Sequence, residues 1–326
     1  MQIENSKNVA SSKKFLWPDI DIVIPTLNCE ETLKICLSRI RSQIYGGNIN
    51  VFIIDGGSTD HTIEIAKRND CIINIIPNIY SDGKNGAKMV GELMGNSEFI
   101  WHIDSDNFLV GENVAKKLVE GFIMYPECNI AVPFNYYGTN YPRNVSRFAR
   151  YLNEQINYKE LENLNHQLKK ASKKGDYFIV DDLDYGVSNC SMIRREAEEV
   201  VGYYDSDVEL LRRLRKRGLS RAVLVPHAQF EQKAIISFMQ YVRKNAKRIK
   251  FHATHVNRPV HYFTDPSNSA SHYKIDVSYY IHSLKNFVKS KKRRDLYFIV
   301  AGFAQTLIFL YSFKSAVRLL RFSMKK

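Results

Sequence analysis

Asp104 and Asp106 are the residues of this chain best placed to do chemistry. They close the run Ile100-Trp101-His102-Ile103-Asp104-Ser105-Asp106-Asn107, in which a short apolar stretch climbs to two carboxylates two residues apart. At the end of a strand, such a pair reaches one hard cation from adjacent backbone positions. Mg2+ or Mn2+ held this way keeps waters and takes its remaining ligands from substrate phosphates. An Asp-x-Asp pair alone is also a common solvated turn, so its surroundings decide which reading applies.

Four further groups supply complementary chemistry. Asp55 ends the run Asn50-Val-Phe-Ile-Ile-Asp55 beside Gly56 and Gly57. The glycines leave backbone room for a ring, and the carboxylate can accept from a base N–H or a ribose hydroxyl; the plainer reading is that Asp55 starts a turn. Lys84 and Lys88 lie in the Gly-rich stretch Ser81 to Lys88, at a helix start where ammonium groups and free N–H donors favour phosphate oxygens. Surface solvation is the alternative for either lysine. Asp205 and Asp207 precede a helix carrying Leu210, Leu211 and Leu214, which either acid can cap. A carboxylate there that faces an acceptor can also take the proton of an attacking hydroxyl. His227, after Leu-Val-Pro, is either a late metal or phosphate contact or a packed strand-end histidine.

The elements that must position these groups alternate. Asp21 to Asn28 reads as a buried strand ending in a Pro-Thr-x-Asn turn, followed by a helix with Leu33, Leu37, Ile40 and Ile44 on one stripe. Asn50 to Asp55 is a second strand, and Ser58 or Asp60 can cap the helix that carries Ile63, Ile65 and Ala66. Ile72 to Pro77 is a third strand, the Gly-rich stretch opens another helix, and the Asp-x-Asp strand follows. This alternation predicts an α/β fold with a mostly parallel central sheet. Ligands of such sheets sit outside the carboxyl ends of the strands, where Asn28, Asp55 and Asp104 converge. The polar, then Lys-rich segment 134–174 reads as an insertion over the site or a flap. The domain expectation is a flexible tail at 1–19, a catalytic domain at 20–235, and a basic helical region at 236–326.

Composition is that of a globular protein, 44% hydrophobic and 25% charged. The formal net charge of +13 fits an anionic partner: nucleic acid, an acidic membrane surface or a phosphorylated substrate. Nucleic acid leaves the Asp-x-Asp pair without a role, because carboxylates repel phosphate unless a cation intervenes, and is not expected as a partner. Five cysteines without metal-ligand spacing imply a reducing compartment. The polar residues 1–14 lack the apolar core of a signal peptide, so the catalytic portion is expected to face the cytosol. Leu296 to Phe313 are 18 uncharged residues. As a helix they span about 27 Å, short of a hydrocarbon core of about 30 Å. With the basic cluster Lys289 to Arg294 just before them, they predict a helix dipping into or lying along the cytosolic leaflet.

Taken in order, Val23-Ile-Pro-Thr-Leu-Asn28 with Glu31, Ile54-Asp-Gly-Gly-Ser-Thr-Asp60, Gly83 to Lys88, Asp104-Ser-Asp106 and Ser206-Asp-Val-Glu-Leu-Leu-Arg-Arg-Leu resemble a family 2 glycosyltransferase of the GT-A fold. The resemblance covers about residues 20 to 230. It implies a UDP- or GDP-sugar donor held by Pro25, Thr26, Asn28, Glu31, Asp55, Lys84, Lys88 and Asp104. It further implies Mg2+ or Mn2+ on Asp104 and Asp106, and Asp207 as general base. The expected reaction is inverting transfer to a hydroxyl of a glycan or lipid-linked acceptor at the cytosolic membrane face. The frequent Asp-Asp-Gly-Ser turn appears here as Asp55-Gly56-Gly57-Ser58, lacking a second base-contacting acid, and the usual Glu-Asp pair appears as Ser206-Asp207. Gln240-Tyr-Val-Arg243-Lys244 is similar to the Gln-x-x-Arg-Trp element of processive synthases, with Lys in place of Trp. The alternatives are a polyprenyl-phosphate sugar synthase, whose ionised acceptor needs no base, and a sugar-phosphate nucleotidyltransferase.

Overall fold

A computed structural model describes residues 16–68, 73–77, 84–135, 163–184, 190–202 and 207–232. Strand β1 (Ile20–Thr26) leads to α1 (Glu30–Arg41), then β2 (Ile49–Asp55), α2 (Thr62–Lys67), β3 (Ile73–Pro77), α3 (Lys84–Met94) and β4 (Phe99–His102). The chain continues through β5 (Asn107–Val110), α4 (Val114–Met124), β6 (Ile130–Asn135) and α5 (residues 163–170). It ends, as described, in β7 (Ser172–Lys174), β8 (Tyr177–Val180), β9 (Met192–Arg194), α6 (Arg195–Val201), α7 (Asp207–Lys216) and β10 (Ala222–Gln232).

The sheet order is β3-β2-β1-β4-β9-β6-β10-β8-β7, with β5 pairing β10 off that path. Strands β3, β2, β1 and β4 run parallel, whereas β9 is antiparallel to both β4 and β6, and β10 to β8. The expected parallel architecture therefore holds for the first half of the chain, and the full sheet is mixed. The β-α alternation that made the first half legible stops after β4.

Apolar residues on both faces explain why these strands are interior. Ile22, Ile24, Val51, Ile53, Phe99 and Trp101 join one core with the stripe Leu33, Leu37 and Ile40 of α1. Val23, Phe52, Ile54 and Ile100 face the other way, against Ala87 and Val90 of α3. Ile44 does not extend the α1 stripe: the helix ends at Arg41, and Ile44 is exposed beyond its Ser42 cap. Gly91 sets the close approach of α3 to β1, since a Cβ there would overlap both methyls of Val23.

The chain divides into two compact units. The first holds residues 1–134, 173–182 and 186–230, and therefore all of β1 to β5, β8 and β9 and most of β6, β7 and β10. In the second, Asp184 accepts from Lys170 Nζ at 2.7 Å and from Gln167, both on α5. Most of the segment read as an insertion or flap, the Gln240 element and the apolar run 296–313 lie outside the described residues. No helix among the described residues is long and apolar enough to cross a membrane.

Candidate active site

Parallel register brings the predicted groups to one edge. Thr26 at the end of β1 pairs with Asp55 at the end of β2, and Val23 pairs with His102 on the other side. The Ile103 amide then donates to the Val23 carbonyl at 3.1 Å, so Asp104 emerges beside the last turn of β1. Asp55, Thr26 and Asp104 thus stand at the carboxyl ends of three adjacent parallel strands, the position where open α/β sheets bind ligands.

The two loops leaving β1 and β2 are tied into one body. Asn28 has a left-handed backbone (φ 49°). Its amide donates to Ser58 Oγ at 2.9 Å, and its side-chain oxygen accepts from the Thr59 amide at 2.8 Å. Asp60 accepts from the amides of Thr62 at 3.0 Å and Glu30 at 3.2 Å. The N-cap position of α2 is His61, whose side chain makes no capping bond; of the two candidate caps, Asp60 accepts the first helical amide from just before it, and Ser58 is used elsewhere. His61 Nδ1 lies 2.8 Å from Glu30 Oε2. That bond raises the histidine pKa, while the His61 amide and ring hold the Glu30 carboxyl below its ordinary range.

Asp55 is the hub of this assembly. Its Oδ2 accepts from the amides of Gly57 at 2.9 Å and Ser58 at 2.8 Å. Its Oδ1 accepts from the hydroxyls of Ser58 at 2.5 Å and Thr26 at 3.2 Å. A carboxylate offers about four acceptor positions, so the turn uses all of them. Sequence reasoning saw Asp55 as a ligand or a turn residue, and missed that Thr26, Asn28, Ser58 and Thr59 form one lock around it.

Asp104, Ser105 and Asp106 are partly exposed, between buried Ile103 and buried Asn107. The Asn107 amide donates to the Asp104 carbonyl at 2.9 Å, closing the loop into a tight turn. Burial pushes the Cys36 thiol far up, and the negative charges of Asp106 and Asp104 push the same way. The Cys36 sulfur lies 4.0 Å from the Asp104 carbonyl oxygen. Two oxygen donors at a partly open edge suit a hard, oxygen-seeking ion such as Mg2+ or Mn2+. The donor set fits the ion that the sequence implies.

The remaining predicted residues are distributed unevenly. Pro25 is half-buried at the end of β1, and Glu31 is exposed in the first turn of α1. Lys84 opens α3, with its side chain outside the described residues. Lys88 is 1% exposed, so the solvation reading fails for it. Asp207 is the first described residue of α7, and its side chain too lies outside the described residues; Asp205 lies wholly outside them. His227 is exposed within β10, not packed at a strand end.

Residues 21–202, more than half of the chain, match the family model described as glycosyl transferase family 2. An N-acetylglucosaminyltransferase of Bradyrhizobium sp. (strain ANU 289) is 30% identical over 104 residues, covering 30% of this chain and 68% of that protein. The Escherichia coli UDP-Glc:alpha-D-GlcNAc-diphosphoundecaprenol beta-1,3-glucosyltransferase WfgD is 27% identical, over 44% of this chain and 54% of its own length. Two further curated relatives are matched over only 25% and 44% of their lengths. The mannosyltransferase PcManGT from Pyrobaculum calidifontis, solved with GDP-Man and Mn2+, superposes with a TM-score of 0.51 at 14% identity, over 94% of this chain and 80% of that one. That likeness gives the fold, the GT-A arrangement. With its Asp-x-Asp turn, its locked β1 and β2 loops and this family match, the chain belongs to glycosyl transferase family 2.

Proposed function

We propose that this glycosyltransferase moves a sugar, with inversion, from a UDP- or GDP-sugar to a hydroxyl of a glycan or lipid-linked acceptor. The observation that carries the reading is the meeting of Thr26, Asp55 and Asp104 at adjacent strand ends. Asp104 and Asp106 would hold Mg2+ or Mn2+, which supplies positive charge for the diphosphate. The locked loops of β1 and β2, with Pro25, Asn28 and Glu31 nearby, form a preorganised floor for the nucleoside. Asp207, at the start of α7, would accept the acceptor's proton; a carboxylate at a helix N-terminus is stabilised by the free N–H groups there. Lys84 and Lys88 bring cationic charge to the start of α3, on the phosphate side of our reading.

A diphosphoundecaprenol-linked acceptor in the name of the Escherichia coli relative supports the lipid-linked choice. The Pyrobaculum complex supports a divalent ion with a nucleotide sugar. We assign residues 20–235 to catalysis and residues 236–326 to attachment at the cytosolic membrane face, on the basic cluster and apolar run of the sequence.

A panel of nucleotide sugars with Mn2+ or Mg2+, with and without membrane lipid extract, tests the reading by the nucleoside diphosphate released. One donor should respond, and only with acceptor lipid present. Pyrophosphate release from a nucleoside triphosphate and a sugar phosphate would instead make the protein a nucleotidyltransferase. Unchanged turnover in Asp207→Asn, with the ion still bound, would point to a phosphate acceptor.

A further inference from the structure

Three metal-ligating side chains from three elements, one imidazole and two carboxyls, meet inside the first unit, apart from the Asp-x-Asp turn. His102, the last residue of β4, follows Ile100 on the α3 side of the sheet, opposite Trp101. Its Nε2 lies 2.8 and 3.1 Å from the two carboxylate oxygens of Glu198 on α6, and 3.6 Å from Glu92 Oε1 on α3. The His102 and Glu198 side chains are each 1% exposed, and that of Glu92 is 13% exposed.

We propose that Glu92, His102 and Glu198 form a buried structural site for a first-row divalent ion of the Zn2+ type, separate from any ion on Asp104 and Asp106. The first argument is geometric. Ligand atoms about 2.0–2.1 Å from one ion are about 3.4 Å apart at the tetrahedral angle, and never more than about 4.2 Å apart. The separations of 2.8 and 3.6 Å bracket that value, and one atom from each residue lies within 4.8 Å of the others. Small side-chain shifts close the set around an ion. One atom from each residue gives three protein donors.

The second argument is chemical. Imidazole and carboxylate donors together suit Zn2+ and its neighbours, whereas an all-oxygen pair such as Asp104 and Asp106 suits Mg2+ or Mn2+. Two buried carboxylates also require positive charge close by. A divalent ion supplies two charges and bonds directly to all three residues. The His102 and Glu198 side chains, each 1% exposed, shield the site from bulk solvent.

An ion here would staple α3 and α6 to β4 two residues before Asp104, fixing the strand end that carries the acidic pair. This inference does not depend on which sugar or acceptor the enzyme uses.

The test uses the full chain, purified without chelator and dialysed against buffer containing Mg2+. Zinc is measured by mass spectrometry, and chelator-stripped protein is then titrated with Zn2+ while its Tm is followed. Wild type and the Asp104→Asn/Asp106→Asn double variant should both retain about one zinc per chain, or regain it with a rise in Tm. In Glu198→Gln the retained zinc should fall about tenfold or more. If stripped wild type holds no zinc and its Tm does not respond, the three residues are a hydrogen-bonded cluster and the proposal is wrong. Loss of the zinc in the double Asp variant, with the fold kept, would also overturn it, because the ion would then belong to the acidic pair. These arms decide the matter even if Glu198→Gln fails to fold, and none of them reads sugar transfer.

Discussion

Thr26 and Asp55 face each other in the β1–β2 register, and the Thr26 hydroxyl donates to Asp55 Oδ1 at 3.2 Å. With Ser58 on the same oxygen and two amides on the other, Asp55 spends its acceptor capacity on the turn. A nucleotide base that docks on Asp55 has to replace one of these donors, and the rotatable hydroxyls are the ones able to leave. Ser58→Ala should therefore cost about 1 kcal/mol of folding stability in urea, yet keep or tighten nucleotide binding measured by calorimetry. A folded Ser58→Ala protein that no longer binds nucleotide would contradict this.

Asp21 holds the opposite end of β1. It is fully buried and accepts from Arg195 at 2.6 Å, Ser97 Oγ at 2.6 Å, the Ser97 amide at 2.8 Å and Asn50 at 2.9 Å. Arg195 also donates to the Ser97 and Glu92 carbonyls, both at 2.7 Å, so this one guanidinium ties α6 to α3. Asp21→Ala should cost about 3–5 kcal/mol, because it leaves a largely buried cation without its carboxylate. Chemical denaturation measures it; a loss below about 1 kcal/mol, the range of exposed pairs, would refute the buried clamp.

Acid sensitivity should appear in α7. Glu209 takes Arg212 at 2.6 Å and Arg213 at 2.7 Å, and the Arg212 bond, ahead of Arg213, holds its carboxyl down at about 2. A depressed carboxylate contributes stability in full above its unfolded pKa of about 4.3, and that contribution fades as pH falls towards 2. The Tm difference between wild type and Glu209→Gln should be steady from pH 7 to about 5 and shrink below about 4.3. A difference that grows on acidification would have the wrong sign.

Gly91 tests the packing beneath the site. Since a Cβ there overlaps the Val23 methyls, Gly91→Ala should destabilise by about 1–3 kcal/mol despite alanine's better helix propensity. Adding Val23→Ala should recover part of the loss in thermal melts. Stabilisation by Gly91→Ala alone would show that α3 has room to move.

Much of the site was legible because its signals are local. Three of the four predicted strands of the first half end in a chemically marked turn, so Asn28, Asp55 and Asp104 could be placed from the alternation alone. What stayed hidden depends on pairing across the chain. Nothing near Glu198 shows that it meets His102, 96 residues away. The local hint was His102 itself, a polar side chain in an otherwise apolar strand, and Glu92 one turn after Lys88 on a helix with an apolar face. Ile44 misled because it keeps the α1 period after the backbone has left the helix.

The central claim is that Asp104 and Asp106 carry a cation that bears the charge of the donor diphosphate. Calorimetric titration of UDP and GDP, with Mn2+ and then with chelator, in wild type and in Asp104→Asn/Asp106→Asn, tests it most directly. Mn2+ should tighten binding of one nucleotide to wild type by about tenfold or more, at least about 1.4 kcal/mol, and should have no effect on the double variant, whose circular dichroism stays native. Equal binding with and without the ion in wild type would contradict the account.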